Sequence, residues 1–291
     1  MSLTLYRVSA FPKGNIGGNE AGVVLDAQAI SEEEMINIAR RVNFSETAFV
    51  LPSDVADFKL RYFSPTVEVP LCGHATVATF NLMRNLDKLD KTHYTIETKE
   101  AILDVYIYEE KVTLQMKKPK YLDTIDQNEV LKALNLKKDD ILDYPVQVVS
   151  TGIREIFLGI KDLKTLHALT PNIDAIAKLS KKYNAEGIYM YTLETLEDES
   201  TAHGRNFIPL VGIDEESATG TASGALACFL NKYHDTENTH FIFEQGYTMF
   251  KPSRITVDLK VENQAITAVY VGGTMRLIDK IVGFMPDTKD A

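Results

Sequence analysis

Alternating hydrophobic and polar positions at the N-terminus predict a β-hairpin. Positions 3–8 alternate, and a glycine-rich turn leads into the apolar run 21–25. The period then becomes helical behind Ser31, where Ser31 and Glu34 form a capping box and apolar residues recur at i, i+3, i+4 and i+7. Over 43–51 the hydrophobic pattern again repeats every two residues, which predicts a strand. One face of this strand carries the charged Glu46 among apolar residues.

The rest of the chain continues the same mixture of strands and short helices. We predict a β-meander, a boundary at the proline-containing segment 117–120, and then, in order, a helix over 129–134, strands over 145–150 and 155–160, a helix over 173–182, a strand over 187–192, a solvated acidic loop over 194–200, and strands over 255–259 and 265–271. Strands outnumber helices and follow one another in antiparallel runs, so the predicted class is α+β.

Two segments recur about half a chain apart. The motif Arg-x-Phe-x-Pro occurs at 61–65 and at 205–209, an offset of 205 − 61 = 144, and the glycine junction at 72–76 matches 219–223, an offset of 219 − 72 = 147. We therefore predict two pseudo-symmetric halves, each a curved, mostly antiparallel sheet around one buried helix. The predicted halves are 1–118 with 278–291, and 119–277.

The segments after Gly73 and Gly220 are apolar on nearly every side, which is typical of buried helices. A glycine before a buried helix can serve turn geometry alone. The alternative is that the helix amides and the positive end of the helix dipole bind an anion. Because the feature occurs twice, we favour two helix N-termini that meet at one cleft and hold a carboxylate-bearing substrate.

Two side chains are the best candidates for chemistry. Glu46 shares a strand face with Phe44 and Ala48, so it lies either in an apolar cleft or in water if Phe49 faces inward. His74 opens the first buried helix, where an imidazole can donate to a substrate oxygen or relay a proton, or simply cap the local backbone. We expect Cys72 to point away from His74 and to act as a small hydrophobe.

Other signals exclude several classes of function. The other five histidines have no ligand spacing, and the glycine-rich segment 14–22 has neither dinucleotide nor P-loop spacing, so we predict no metal and no cofactor. The 31 basic and 41 acidic residues give a net charge of −10, which disfavours nucleic acid and anionic membranes as partners. Two cysteines form no disulfide framework and no signal peptide is evident, which favours the cytoplasm.

The motifs taken together resemble the PhzF-like isomerase family of phenazine biosynthesis. The resemblance rests on blocks that extend over nearly the whole chain: 43–49, 61–65, 68–76, 218–220, Gln245-Gly246 and Pro252-Ser253. This family shares a doubled fold with diaminopimelate epimerase, in agreement with the repeat. The resemblance implies that Glu46 is the acid/base carboxylate, that His74 and the residues around Gly220 bind and polarise the substrate, and that the protein is a homodimer.

Several positions depart from the family pattern. Thr219 stands where the epimerase has its second cysteine, and a threonine cannot act as a thiolate base, so two-cysteine epimerisation is excluded. Glu216 replaces an aspartate and Thr221 replaces a serine. Lys251 and Glu20 replace an arginine and a proline. These changes affect the identity of the substrate more than the type of reaction.

The sequence thus predicts a cofactor-independent isomerase that shifts a proton on a small carboxylated substrate bound in the cleft between the two halves. One alternative is a two-base epimerase or racemase in which Glu216 opposes Glu46, and the other is a non-catalytic binding relative. The predicted catalytic residues are Glu46, His74 and Glu216. The predicted substrate-binding residues are Asn19, Ser45, Gly73, Gly220, Thr221 and Ala222.

Overall fold

The computed structural model describes residues 3–284 and contains the following elements. The first part of the chain forms β1 (Leu3–Ala10), β2 (Asn19–Val24), α1 (Glu32–Val42), β3 (Glu46–Leu51), β4 (Phe58–Phe63), β5 (Glu68–Val69), α2 (Gly73–Asn85), β6 (His93–Glu97), β7 (Ile102–Ile107) and β8 (Val112–Met116). The remainder forms β9 (Lys120–Ile125), α3 (Gln127–Leu134), β10 (Val146–Ser150), β11 (Arg154–Gly159), α4 (Leu163–Ala168), α5 (Ile173–Lys182), β12 (Gly187–Thr192), β13 (Ala202–Ile208), β14 (Ile213–Glu216), α6 (Gly220–Tyr233), β15 (His240–Gln245), β16 (Ser253–Glu262), β17 (Ala265–Gly273) and β18 (Met275–Phe284), with short 3₁₀ turns at Lys138–Asp140, Pro209–Val211 and Tyr247–Met249.

The chain divides into two compact units. Among the described residues, the first unit comprises 3–115 and 272–284, and the second comprises 116–271. The sequence prediction places the corresponding boundaries after residues 118 and 277. Within residues 3–284, none of the helices is long and apolar enough to cross a membrane.

Both units have the same order of strand pairings. In the first unit, β1 pairs antiparallel with β2, β2 parallel with β3, β3 antiparallel with β4, β4 parallel with β6, and β6 antiparallel with β7. The second unit repeats this sequence of antiparallel, parallel, antiparallel, parallel and antiparallel pairs, in the strand order β10, β11, β12, β13, β15 and β16. The structure therefore confirms the predicted α+β class and the duplication.

The repeated arginine motif has the same structural role in each unit. Arg61 lies over the ring of Phe63 and donates a hydrogen bond to Glu68 on the adjacent short strand. In the second unit, Arg205 lies over the ring of Phe207, and its guanidinium donates to both oxygens of Glu215. In each copy the arginine thus ties a central strand to the short strand that precedes the buried helix.

Each sheet is covered by helices on both faces, so several strands are buried on both sides. In the first unit α1 packs over an apolar cluster that includes Phe49, and α2 packs on β1, β2 and β3. In the second unit α3 and α5 cover one face, and α6 packs on β10, β11 and β16. Two-sided burial removes polar–apolar alternation, which explains why the sequence pattern did not predict strands such as β13, where all seven residues are buried.

The outer helices carry N-caps, whereas the two central helices do not. Ser31 caps α1 in the predicted capping box, and Asp126, Asp162 and Asn172 cap α3, α4 and α5. In neither α2 nor α6 does the N-cap side chain accept a hydrogen bond from the helix amides, and neither helix has an acidic residue in its first turn. The amides and the positive dipole end of both central helices are therefore not neutralised by their own first turns.

Candidate functional site

The imidazole of His74, in the first turn of α2, is the centre of a polar cluster in the first unit. Glu46 Oε2 lies 3.4 Å from His74 Nε2, and Ser45 Oγ lies 3.5 Å from the same nitrogen. On the other side of the ring, Asn19 Nδ2 lies 3.4 Å from Nδ1. The structure thus brings Asn19, Ser45, Glu46 and His74, four of the predicted site residues, around one ring at the start of a helix.

The sequence left two positions open for Glu46, an apolar cleft or the solvent with Phe49 facing inward. In the structure Phe49 does face inward, but Glu46 is also largely buried. Phe49 faces the apolar cluster under α1 and is fully buried, while Glu46 points to the opposite face of β3, toward α2. Glu46 is not left in water there, because its side chain is only 17% exposed. Among the described residues, its buried Oε2 atom has no hydrogen-bond partner. A buried carboxylate oxygen without a partner is costly, so its position calls for a functional explanation.

The expectation that Cys72 points away from His74 is wrong. Cys72 is the N-cap residue of α2 and has an extended backbone, which directs its side chain back over the first turn. Its Sγ atom lies 3.4 Å from His74 Nδ1 and 3.8 Å from Nε2. The thiol is therefore part of the polar cluster.

The environment of His74 favours the neutral imidazole. Burial lowers the pKa of His74 below its ordinary value of 6.5, and this effect outweighs the nearby Glu46 carboxylate and a hydrogen bond with the Glu20 carbonyl oxygen, both of which raise it. A neutral imidazole has one N–H donor and one acceptor. His74 can therefore donate to a substrate oxygen or pass on a proton without carrying a permanent charge.

This lowered pKa makes the stability of the protein sensitive to acid. Below pH 6.5 the unfolded chain binds a proton at this position that the folded protein does not, so the free energy of unfolding falls as the pH falls. The slope from this residue approaches about 1.4 kcal/mol per pH unit between the two pKa values. In His74→Gln this part of the slope should disappear when urea unfolding is measured between pH 5 and pH 7.5. The exposed His93→Gln should keep it, and equal slopes in all three proteins would contradict the assignment.

The second unit contains a different polar cluster at the start of α6. Thr219, its N-cap residue, donates a short hydrogen bond to Glu216 Oε2. Two amide groups donate to the same hydroxyl oxygen, Asn206 Nδ2 at 3.1 Å and Gln245 Nε2 at 3.1 Å. A hydroxyl has one donor and two acceptor sites, so Thr219 Oγ1 is fully used, and its proton faces Glu216.

Gln245 fixes the orientation of this cluster. Its Oε1 atom accepts from the Thr219 amide at 3.0 Å, and its Nε2 atom donates to the Glu216 carbonyl oxygen at 2.8 Å. An amide group held by a backbone donor and a backbone acceptor can have only one orientation. The direction of the hydrogen bond from Gln245 to Thr219 is therefore settled.

The remaining predicted binding residues lie in the first turns of the two central helices. Gly73 and Gly220 are the first residues of α2 and α6. Thr221 and Ala222 are buried in the first turn of α6, and the Thr221 carbonyl oxygen accepts from Thr151 Oγ1 at 3.1 Å. These positions therefore offer mainly backbone groups, as expected for anion binding at a helix start.

Sequence reasoning missed the residues that support Glu216. Asn206 and Gln245 were seen only as members of motifs, and Glu155 was seen only as the first residue of a predicted strand. Glu155 is nevertheless fully buried, although it lies near the start of β11, next to the exposed Arg154. A single carboxylate within a strand of mostly apolar residues is the signal that could have identified it.

The cluster in the first unit can transfer a proton and hold an anion. A carboxylate beside a neutral imidazole can take up and return a proton, and the amides of an uncapped helix can stabilise negative charge. The ligand atoms of Glu46, Cys72 and His74 also lie within 4.8 Å of one another, a set that can hold a metal ion. The sequence prediction of no metal therefore stays a prediction.

Comparison with known proteins gives this fold and site a family. The model of the family described as phenazine biosynthesis-like protein matches residues 8–278, and the chain belongs to that family. A crystal structure of a Bacillus anthracis phenazine biosynthesis protein of the PhzF family superposes with a TM-score of 0.89 at 32% identity, covering 98% of this chain and 100% of that one.

The relatives in this family are named as isomerases. An uncharacterised isomerase from Clostridium acetobutylicum is 35% identical over 290 residues, covering 95% of this chain and 96% of the relative. The trans-2,3-dihydro-3-hydroxyanthranilate isomerase of Pseudomonas aeruginosa is 27% identical over 277 residues, covering 91% and 94%. This protein is accordingly an isomerase of the phenazine biosynthesis-like family.

Proposed function

We propose that the protein catalyses a cofactor-independent proton shift within a small unsaturated or α-substituted carboxylic acid, with Glu46 as the acid/base group. The observation that carries this proposal is the buried Glu46 Oε2 atom, which has no hydrogen-bond partner among the described residues and lies 3.4 Å from His74 Nε2. A carboxylate that must receive a proton needs an oxygen that other donors do not occupy.

The reaction balances with one carboxylate. Glu46 removes a proton from carbon, and the electron pair of the broken C–H bond forms a new double bond. The electron pair of the former double bond then takes a proton from the Glu46 carboxyl group at another carbon, after the proton on that group has exchanged with solvent. Neutral His74 gives its single N–H to the substrate oxygen on which negative charge develops, in place of the Glu20 carbonyl oxygen, and the amides at Gly73 stabilise the same charge.

One carboxylate suits a shift on a single face of the substrate. Inversion at a carbon atom needs a proton donor and a proton acceptor on opposite faces. In the second unit, Glu216 has the role of a carboxylate that accepts a hydrogen bond from the substrate, because one of its oxygens already accepts from Thr219.

The Pseudomonas relative indicates where to look for the substrate. That protein is a trans-2,3-dihydro-3-hydroxyanthranilate isomerase, and we propose that this chain acts on a compound of the same class, a small ring carboxylate with a movable double bond. Glu216 stands where the family has an aspartate, and one added methylene moves the carboxylate by more than a hydrogen bond tolerates. A compound related to trans-2,3-dihydro-3-hydroxyanthranilate is therefore as reasonable a candidate substrate as that compound itself.

Solvent isotope incorporation tests the proposal directly. The protein is incubated in D₂O with trans-2,3-dihydro-3-hydroxyanthranilate and a panel of unsaturated and α-substituted carboxylates, and the products are followed by NMR and mass spectrometry. We expect isomerisation of at least one unsaturated compound, with deuterium at a single new carbon position, and no change after treatment with a chelator.

Three results would contradict the proposal. Tight binding without turnover across the panel would indicate a binding protein. Exchange accompanied by inversion at an α-carbon would indicate a two-base epimerase. Loss of activity with the chelator, together with a stoichiometric metal in the purified protein, would replace the cofactor-independent mechanism by one that uses the Glu46, Cys72 and His74 atoms as ligands.

A further inference from the structure

A chain of buried hydroxyl groups ends on the carbonyl oxygen of the residue that precedes α2. Thr76 donates from Oγ1 to the Cys72 carbonyl oxygen at 2.7 Å, and the Thr76 amide donates to the same oxygen at 3.1 Å. The hydroxyl oxygen of Tyr62, on β4, lies 2.6 Å from Thr76 Oγ1, and both side chains are fully buried. A carbonyl oxygen only accepts, so the single proton of Thr76 lies toward Cys72, and Tyr62 is the donor to Thr76.

The second unit has the same order of groups at the start of α6. Ser223 donates from Oγ to the Thr219 carbonyl oxygen at 2.8 Å, and its amide donates to that oxygen at 3.0 Å. The hydroxyl group of Tyr189, on β12, is hydrogen-bonded to Ser223 and also lies 3.3 Å from Gln245 Oε1. Ser223 gives its proton to the carbonyl oxygen, so the tyrosine supplies the proton of their contact. Ser223 and Tyr189 are both fully buried.

The two tyrosines do not correspond to each other in the repeat. Tyr62 and Asn206 each follow the arginine of the repeated motif, and they pair with Ala48 and Tyr189 respectively. The tyrosine therefore lies on opposite members of two equivalent cross-strand pairs. Gly204 leaves the space for the second one, because an added Cβ atom would lie 2.3 Å from the Tyr189 hydroxyl oxygen. Duplication alone does not explain why both hydroxyl groups reach a helix start.

The peptide group explains what such a chain can do. A threonine or serine that donates to the carbonyl oxygen four residues earlier is common in helices. Here that carbonyl group shares its peptide plane with the Gly73 amide, which is the first amide of α2 and has no acceptor within the helix. Donation to a carbonyl oxygen draws electron density from the nitrogen of the same peptide group, so its N–H becomes a stronger donor.

We propose that Tyr62 and Thr76 activate the Gly73 amide as a hydrogen-bond donor to the negative charge of the bound substrate. The corresponding chain in the second unit does the same for the Gly220 amide. The hydroxyl groups are positioning residues, because they act through a peptide group and not by contact with the substrate. This role rests on the proposed function, whereas the polarisation of the peptide group does not.

The electrostatics of the two tyrosines agree with this geometry. Burial raises the pKa of Tyr62 well above its ordinary value of 10, against the hydrogen bond with Thr76, which lowers it. Burial likewise raises the pKa of Tyr189, against its hydrogen bond with Ser223. Both hydroxyl groups therefore keep their protons at neutral pH and remain donors. Their effect on the amides should not vary between pH 6 and pH 9.

Selective labelling tests the polarisation without any substrate. Cys72-Gly73 is the only Cys-Gly dipeptide in the sequence, so ¹³C′-cysteine and ¹⁵N-glycine labels isolate this peptide group in one NMR signal. We expect the Gly73 amide proton to move upfield in Tyr62→Phe, which keeps the aromatic ring, and further upfield in Thr76→Val. Thr76→Ser keeps the hydroxyl group and should keep the signal in place. A Gly73 amide proton that does not move in Thr76→Val would overturn the proposal.

Turnover tests the positioning role. One donor to a developing negative charge contributes about 10²–10³ in kcat, and cooperative donation strengthens a hydrogen bond by roughly 10–30%. We therefore expect kcat to fall about two- to eightfold in Tyr62→Phe and in Thr76→Val, with KM unchanged and with rescue in Thr76→Ser.

The matched control is Thr79→Val. Thr79 is also buried in α2 and donates to the Ala75 carbonyl oxygen at 2.7 Å, one turn further from the site. This variant should lose stability as Thr76→Val does and keep the turnover and the Gly73 signal of the natural protein. Unchanged kcat in Thr76→Val, or an equal loss in Thr79→Val, would overturn the positioning role.

A double variant guards against loss of the fold. Thr76→Val leaves the buried Tyr62 hydroxyl group without an acceptor, whereas Tyr62→Phe/Thr76→Val removes both groups. Urea unfolding shows which variants are folded, and the double variant should have the kcat and the Gly73 signal of Thr76→Val.

The same measurements separate this inference from the proposed function. If the protein turns over no carboxylate but the Gly73 signal moves as expected, the proposed function and the positioning role fail, and the polarisation of the peptide group stands. If turnover is found and the signal stays in place in Thr76→Val, the proposed function stands and this inference fails.

Discussion

Glu46→Gln should lose isomerase turnover by about 10²–10⁴-fold while the fold and its stability are kept. Glutamine preserves the size of the side chain and its contact with His74, but it cannot accept a proton from carbon and return it, and general acid–base catalysis of this kind contributes about that factor. The buried Oε2 atom has no partner to lose among the described residues, so no existing donor loses its acceptor in the substitution. Substrate-dependent deuterium incorporation in D₂O, followed by NMR, measures the effect.

The matched control for Glu46→Gln is Glu33→Gln, which removes a carboxyl group from the exposed side of α1 in the same unit. Turnover and stability should be those of the natural protein. Circular dichroism and urea unfolding show whether Glu46→Gln is folded. Retained deuterium exchange in folded Glu46→Gln would remove Glu46 from the catalytic role and direct attention to Cys72.

Arg205→Leu should destabilise the protein by about 3–5 kcal/mol, the range expected when one partner of a buried ion pair is removed. The Arg205 side chain is 8% exposed and donates to both oxygens of Glu215 and to the carbonyl oxygens of Leu166 and Leu169, at 3.0 and 2.8 Å. The leucine removes the guanidinium donors and the positive charge, and Glu215 keeps only the Thr248 hydroxyl as a donor to Oε1. Urea unfolding measures the loss.

The repeat provides the control, because Arg61 has the same position in the first unit. Its side chain is 21% exposed, and one of its two carboxylate partners, Glu32, is 61% exposed. Water can replace its hydrogen bonds more easily, so Arg61→Leu should cost no more than about 2 kcal/mol. Equal losses in the two variants would show that burial does not control the contribution of this motif.

Much of the fold could be predicted because local signals and tertiary structure agree. The capping box at Ser31 begins α1, the predicted helix 173–182 is α5, and the predicted strand 187–192 is β12. The Arg-x-Phe-x-Pro repeat correctly indicated a duplication, because each copy makes the same cation–π and ion-pair contacts. Strands such as β13 and β15 have no alternation, since helices cover both faces of the sheet, and the pattern therefore could not predict them.

The site was only partly predictable for a related reason. Glu46 and His74 stood out because a charged residue on an apolar face and a histidine at a helix start break a local pattern. Cys72 was misjudged, because the direction of its side chain depends on the extended backbone of an N-cap residue. The contacts of Glu155 depend on strand register and on the glycine opposite it, and neither is a local property of the sequence.

Under the proposed function, the uncapped starts of α2 and α6 link thermostability to ligand occupancy. A good N-cap contributes about 1 kcal/mol, and the outer helices of this protein have one, so the two central helices lack stabilisation that is easily available. Thr219 has a suitable hydroxyl group but uses it on Glu216. In the proposed function, a carboxylate substrate supplies the missing acceptor, and only while it is bound. Engineering that introduced a permanent cap at residue 72 would raise the melting temperature of the empty protein and compete with the ligand for the amides of α2.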